Sequence, residues 1–358
     1  MNDLRISYID QLKGIAILLV VLGHVIGYNN CEDSFLWRFI YSFHMPLFMF
    51  ISGYVAQMTF RIERFGWNET ISFLIKKLRT LLLPMVTWGV VIPFFFLRTM
   101  IDQSFIDCVL NFVKTWGGGL WFFATLFILS ILFFVYRWVD KQINAKSIFV
   151  DLVILLFLFI LVILLYMLLY KDAIYSEGIR SVFNYFMFYF LGSIVCKQTN
   201  LRSLILNNKK FFTFSFVMFF LLIPSFVYDM SSMFNQLMKI VLSLFAIFSL
   251  FFIVHHISWN RQVDNMFQYF GRESLSIYVT HNGPFAFLLV ITDYITLSSV
   301  DNIPCFLFLF IFSLFISYAS IWIKNIVSIS PILELFYTEN LIKENLYEHL
   351  FHQSSIQG

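Results

Sequence analysis

Charge is what this sequence has least of. Only 13% of its 358 residues are Asp, Glu, Lys or Arg, while 60% are hydrophobic. A soluble domain carries about 25% charged residues, so too little polar surface is present to cover this chain in water. Cysteine is sparse as well. Cys31, Cys108, Cys196 and Cys305 show no C-x-x-C or metal-ligand spacing, so unpaired thiols are expected; Cys31 and Cys108 both fall in outer loops, where a disulfide would be permitted. No GxGxxG, P-loop or internal repeat occurs, which removes the usual nucleotide-cradling loops. The net charge of +3 implies neither an acidic partner nor nucleic acid.

What fills the sequence instead is long apolar runs, with a mean hydropathy of +0.81. A run of about 20 apolar residues crosses a ~30 Å hydrocarbon core as a helix. The expected fold is therefore all-α, a polytopic membrane bundle of about ten transmembrane helices. The spans fall at 9–28, 35–58, 80–100, 117–137, 147–170, 179–196, 211–229, 234–254, 271–292 and 304–324. Residues 1–330 read as one integral-membrane domain and 331–358 as a cytoplasmic tail. Basic residues mark the cytoplasmic side. Of 24 Lys and Arg, all but Arg38, Arg98, Lys114, Lys171, Arg180 and Lys239 fall on one side of this arrangement. Both termini are then cytoplasmic. The first span has the basic start of a signal peptide, but no small-residue cleavage site follows it, and it is read as retained.

Against this background the stretch "KGIAILLVVLGH", residues 13–24, stands out. Eleven residues at 100° each end only about 20° past three full turns, so Lys13 and His24 share a stripe roughly 16 Å long. Ile17 and Val20 lie between them. Lys13 sits at the inner headgroup level and His24 near mid-membrane, where an ionisable group is costly and marks a site. Gly23 and Gly27 beside it have the small-residue spacing of a close helix approach. Asp10 can pair with Lys13 at i,i+3.

The second span carries "SFHMPLFMFISGY", residues 42–54. His44 lies about 14 Å from its outer start. Pro46 cannot donate to the Ser42 carbonyl, which predicts a kink at His44 and a freed acceptor; Ser52-Gly53 suggests another close approach. The ninth span carries "GRESLSIYVTHNG", residues 271–283, and puts His281 and Asn282 about 15 Å from its inner end. Three histidines on three helices thus share a depth, which points to one polar pocket. No carboxylate or cysteine stands at ligand spacing beside them, so no metal site is expected. "KKLRTLLLP", residues 76–84, opens the third span with Lys76 and Arg79 on one face. Arg offers a forked donor set for phosphate and Lys a point charge; an interfacial anchor is the simpler use of both. Trp121 in "GGGLWFF" reads as a belt residue, His255 and His256 as interfacial. His349 and His352 belong to the charged tail.

These segments, in order, resemble the membrane acyltransferase 3 family of bacterial O-acyltransferases. The resemblance rests on "YIDQLKGIAILLVVLGH", "FHMPLFMFISGY", "KKLRTLLLP", "LWFFATLF" and "LSIYVTHN", spread over residues 8–282. It implies transfer of an acyl group, most commonly acetyl from acetyl-CoA, to hydroxyls of cell-envelope glycans or their lipid-linked precursors at the bacterial plasma or inner membrane. The family's basic residue ahead of an intramembrane histidine maps onto Lys13 and His24, and its third-helix basic pair onto Lys76 and Arg79. Lysine at 13 and 76, where arginine is common, keeps the charge but loses the bidentate fork. Some relatives carry an appended serine-esterase-like domain; no such segment occurs here, so transfer is expected to finish within the bundle or on a separate partner.

Joined together, these readings predict CoA phosphates at Lys13, Lys76 and Arg79, a pantetheine arm reaching upward, and His24 as general base or as the carrier of a covalent acyl group. His44, His281 and Asn282 would orient it or donate to the oxyanion. Acyl-CoA is a co-substrate, and no tightly bound cofactor is expected. The rival from another class is an exporter of a glycan or lipid-linked sugar. It lacks a mid-span acidic relay, because Asp151 and Asp229 fall near span ends.

Overall fold

The computed structural model describes residues 6–29, 31–60, 65–96, 103–143, 147–169, 173–228, 232–281 and 302–327. All regular elements among them are helices. The first, α1, runs unbroken over Ser7–Tyr28, with Asp10 in its first turn, where a negative charge favours the helix dipole. It is followed by α2 (Phe35–Tyr41) and α3 (His44–Thr59). The third predicted span proves longer than its apolar run. It starts as α4 (Trp67–Lys77), passes through π turns at Leu78–Leu82, continues as α5 (Leu83–Val86) and returns to π turns over Thr87–Phe96. Pro84 and Pro93 withhold backbone donors inside this stretch, and wider turns let the ladder continue around them.

Further along come α6 (Phe105–Lys114), α7 (Trp121–Ile143), α8 (Ile148–Leu169) and α9 (Ala173–Lys197). Next are α10 (Thr199–Asn207), α11 (Lys209–Leu222) and α12 (Met233–His256). The chain then forms α13 (Arg261–Arg272), α14 (Ser274–Thr280) and α15 (Ile303–Val327). Eight described helices are long and apolar enough to cross a membrane, or nine if Thr199–Asn207 and Lys209–Ser225, bent by 67°, form one broken span. Ten were predicted. The predicted 271–292 span is described only through His281, and its second half lies outside the described residues, as does the 331–358 tail.

Glycine sets the tightest crossings. On α3, Gly53 lies against the Tyr189 backbone of α9, while Gly192 of α9 lies against the Phe50 backbone. A Cβ on either would collide with main chain, so the approach foreseen at Ser52-Gly53 is real and reciprocal. At the Lys13 end, Gly14 of α1 meets the Phe267 backbone and Gly271 meets that of Asp10. These contacts clamp α13, absent from the predicted spans, onto α1. Gln11 adds a hydrogen bond to Asp264, 2.5 Å long; the bond from Gln268 and this one hold the half-buried Asp264 carboxyl below its ordinary pKa.

A second clamp is ionic. Lys197 of α9 bridges Asp140 of α7 at 2.7 Å and Asp151 of α8 at 2.6 Å. Tyr136 donates to Asp151 at 2.8 Å, Gln198 donates to it at 3.0 Å, and Arg137 holds Asp140 at 2.7 Å. Asp151 is wholly buried, which is tolerated because its oxygens are shared among these donors. Among the described residues none of the four cysteines is joined in a disulfide.

Candidate functional site

The break expected at Pro46 is present. Between α2 and α3 the backbone leaves helical geometry at Phe43 (φ −146°, ψ −14°). The freed Ser42 carbonyl accepts a 2.6 Å hydrogen bond from Ser243 of α12. A hydroxyl from another helix thus satisfies the acceptor that proline released, as an irregular backbone in a membrane requires. His44 opens α3, buried, with Nδ1 donating to Ile40 O at 2.8 Å.

His24 projects from α1 into the bundle and is half-buried. Its ring meets that of His281 edge to face, with centroids 5.0 Å apart and planes at 80°. Two of the three predicted histidines are therefore neighbours. His281 is 1% exposed, and its Nδ1 donates to the carbonyls of Ile277 (3.0 Å) and Tyr278 (2.9 Å). In the neutral ring this fixes the tautomer and leaves Nε2 as an acceptor only. That Nε2 is buried without a hydrogen-bond partner among the described residues, and such an atom calls for an explanation. The same logic applies to His44, whose Nδ1 is also committed to its own helix. Neither neutral ring can donate from Nε2 to an oxyanion, so of the two roles expected for them the orienting one fits. Asn282, the other expected donor, lies outside the described residues.

Tyr41 joins His44 to this pair. Its ring stands 4.7 Å from the His44 ring and packs on Gly23, next to His24. It also stacks on Trp37 at 4.0 Å and meets Tyr228 edge-on at 5.6 Å. Lys239 lies 4.8 Å above the Tyr228 ring and forms no ion pair among the described residues. Reading by runs and spacing did not mark Tyr41, Tyr228 or Lys239. A signal existed for Lys239 alone, a lysine set inside an apolar span.

The basic residues are more dispersed. Lys13 is half-buried on α1, and the unbroken helix keeps it roughly 16 Å from His24 along the axis. Ile17 and Val20, on the stripe between them, are 0% and 1% exposed, so no open shaft follows that stripe. Lys76 and Arg79 are exposed, and no side-chain hydrogen bond or ion pair among the described residues engages either. Their helix packs on α7. The structure thus unites His24 with His281, links His44 through Tyr41, and leaves Lys76 and Arg79 as open cations. Among the described residues no group of three or more His, Cys, Asp or Glu is placed to hold a metal ion.

Fold and site define a polytopic membrane protein with an imidazole pair held inside its helix bundle. A family model described as an acyltransferase domain matches residues 6–322; the chain belongs to the acyltransferase 3 family. Among curated proteins it is similar to the nodulation protein NolL of Sinorhizobium fredii, 35% identical over 156 residues, or 41% of each chain. It is also similar to the nodulation protein NolL of Mesorhizobium japonicum, 34% identical over 140 residues, which cover 37% of this chain and 35% of that one. The match therefore spans less than half the length of either relative. No solved structure matches the chain.

Proposed function

We propose that this membrane acyltransferase transfers an acetyl group from cytoplasmic acetyl-CoA to a hydroxyl of a cell-surface polysaccharide or its lipid-linked precursor. It would work as a multi-pass protein of the bacterial plasma or inner membrane with both termini in the cytoplasm. The observation that carries this reading is the contact of His24 with His281 inside the bundle, on a helix whose other end bears Lys13. CoA phosphates meet Lys13, Lys76 and Arg79, the last two being exposed and unengaged. Because Ile17 and Val20 are packed, the pantetheine arm parts these side chains when the donor binds.

His24 acts as general base. As the acceptor oxygen attacks the thioester carbon, its proton passes to His24. The tetrahedral intermediate collapses with cleavage of the C–S bond, and His24 returns the proton to the departing sulfur. An O-acetyl ester and CoA thiol result. When substrates bind, the otherwise unpartnered His281 Nε2 accepts the N–H on the other nitrogen of His24 and so fixes which nitrogen is basic; His44 and Tyr41 wall the pocket. Incubating the purified protein with labelled acetyl-CoA and glycan tests the reading. Label should move to the glycan with wild type and not with His24→Ala. A flux of unmodified glycan that survives His24→Ala would mark an exporter instead.

A further inference from the structure

A cavity of about 420 Å³ opens between the second π segment, α6 and the loop leading to α7. We infer that it binds an uncharged sugar unit of the acceptor, with Gln103 and Asn111 as its specificity-determining side chains; this rests on the glycan-acyltransferase reading above. Its size lies within the range of small-molecule sites, ~300–1,000 Å³. Trp88, Gln103, Asn111, Thr115, the Gly117–Gly119 backbone and Val279 line it, and no Lys, Arg, Asp or Glu is among its described lining residues. Amides and a hydroxyl both donate and accept, which suits the mixed hydroxyls of a sugar, and an indole offers an apolar surface for its C–H face. A uronate or sugar phosphate would shed water there without gaining a counter-charge.

The two amides are already oriented. Asn111 Nδ2 donates to Gln103 Oε1 at 3.3 Å. That leaves the Gln103 amide N–H groups and the Asn111 carbonyl oxygen without a hydrogen-bond partner among the described residues and available to a ligand. The floor leads to the reaction centre. Tyr278 donates to Gly119 O at 3.2 Å, Val279 lines the cavity, and His281 stands two residues further along the same chain segment.

The loop itself is held in a costly shape. Trp116, Gly117 and Gly118 take successive left-handed φ values of 53°, 86° and 54°. Tryptophan rarely adopts such a conformation, and residues kept there cluster at ligand sites. The Trp116 indole is wedged against Gly178, where no Cβ would fit, so the surroundings impose the shape.

The test uses the full chain in nanodiscs with its four cysteines changed to serine and Thr115→Cys added as a reporter at the rim. Maleimide labelling of that thiol is timed with neutral tetrasaccharides of glucose, galactose, mannose or N-acetylglucosamine, and with tetragalacturonate. At least one neutral sugar should slow labelling threefold or more, tetragalacturonate should not, and Asn111→Leu or Gln103→Leu should abolish the protection. His24→Ala should retain it, since binding precedes chemistry. Protection by no sugar, equal protection by the uronate, or protection only by phospholipid would overturn the inference, the last marking a lipid groove. Protection without any turnover of acetyl-CoA would uphold the sugar site while removing the donor assignment. In the transfer assay, Asn111→Leu should raise KM for the glycan at least tenfold and leave KM for acetyl-CoA unchanged.

Discussion

Replacing His281 separates its orienting role from mere packing. Its Nδ1 is occupied by the Ile277 and Tyr278 carbonyls, its buried Nε2 has no partner among the described residues, and the His24 ring lies at a centroid distance of 5.0 Å. The bond that Nε2 is proposed to accept from His24 in the reacting complex gains strength when His24 becomes an imidazolium, and a hydrogen bond to a charged group is worth about 1.5–3 kcal/mol. At 1.36 kcal/mol per decade of rate, losing it should lower kcat about 10- to 150-fold. KM for acetyl-CoA should stay unchanged, because Lys13, the phosphate contact proposed on α1, stands at the other end of that helix. Side-chain length then provides an internal control. A glutamine carbonyl reaches the position of Nε2, whereas an asparagine carbonyl reaches only that of Nδ1. His281→Gln should recover part of kcat, and His281→Asn and His281→Phe should not. Steady-state transfer from labelled acetyl-CoA in nanodiscs reads all three. A His281→Phe variant within threefold of wild type, or equal loss in Gln and Asn variants, would refute the reasoning.

Ser243→Ala orphans the Ser42 carbonyl next to His44; an unsatisfied buried acceptor costs about 1–3 kcal/mol, and SDS-titrated unfolding should show a loss of that size. Asp151→Asn breaks the buried pair with Lys197, for which losses of about 3–5 kcal/mol are typical. Because Asp140 still holds Lys197 at 2.7 Å, the lower end is expected, and an unchanged unfolding midpoint would contradict it. Arg79→Glu should raise KM for acetyl-CoA with little change in kcat, an effect that fades as salt is added because Arg79 is exposed; an unaltered KM would count against the phosphate role.

Much of the bundle was legible because apolar run length answers directly to bilayer thickness. The break at Pro46 was legible for a local reason, a missing N–H, and so was the close approach at Gly53. The meeting of His24 with His281 followed from depth alone, since each could be counted from the end of its own helix. What escaped needs knowledge of neighbours. The α13 helix is amphipathic, with only Phe270 and Gly271 buried, so a search for apolar runs passes over it. Asp140, Asp151 and Lys197 come from three helices and look like span-end charges until packing joins them. The i,i+3 spacing of Lys76 and Arg79 gives a shared face but not its direction, and that face proves exposed. Tyr41 gains its place only because the Pro46 break turns α2 back onto Gly23.

The central claim is that the His24 imidazole performs the transfer, and single-turnover measurement of labelled acetyl leaving CoA tests it most directly. With His24→Ala folded and inserted as wild type, the account predicts a fall of about 10²- to 10⁴-fold, the usual contribution of a general base, with acetyl-CoA still bound. Transfer to glycan at the wild-type rate in that variant would contradict it.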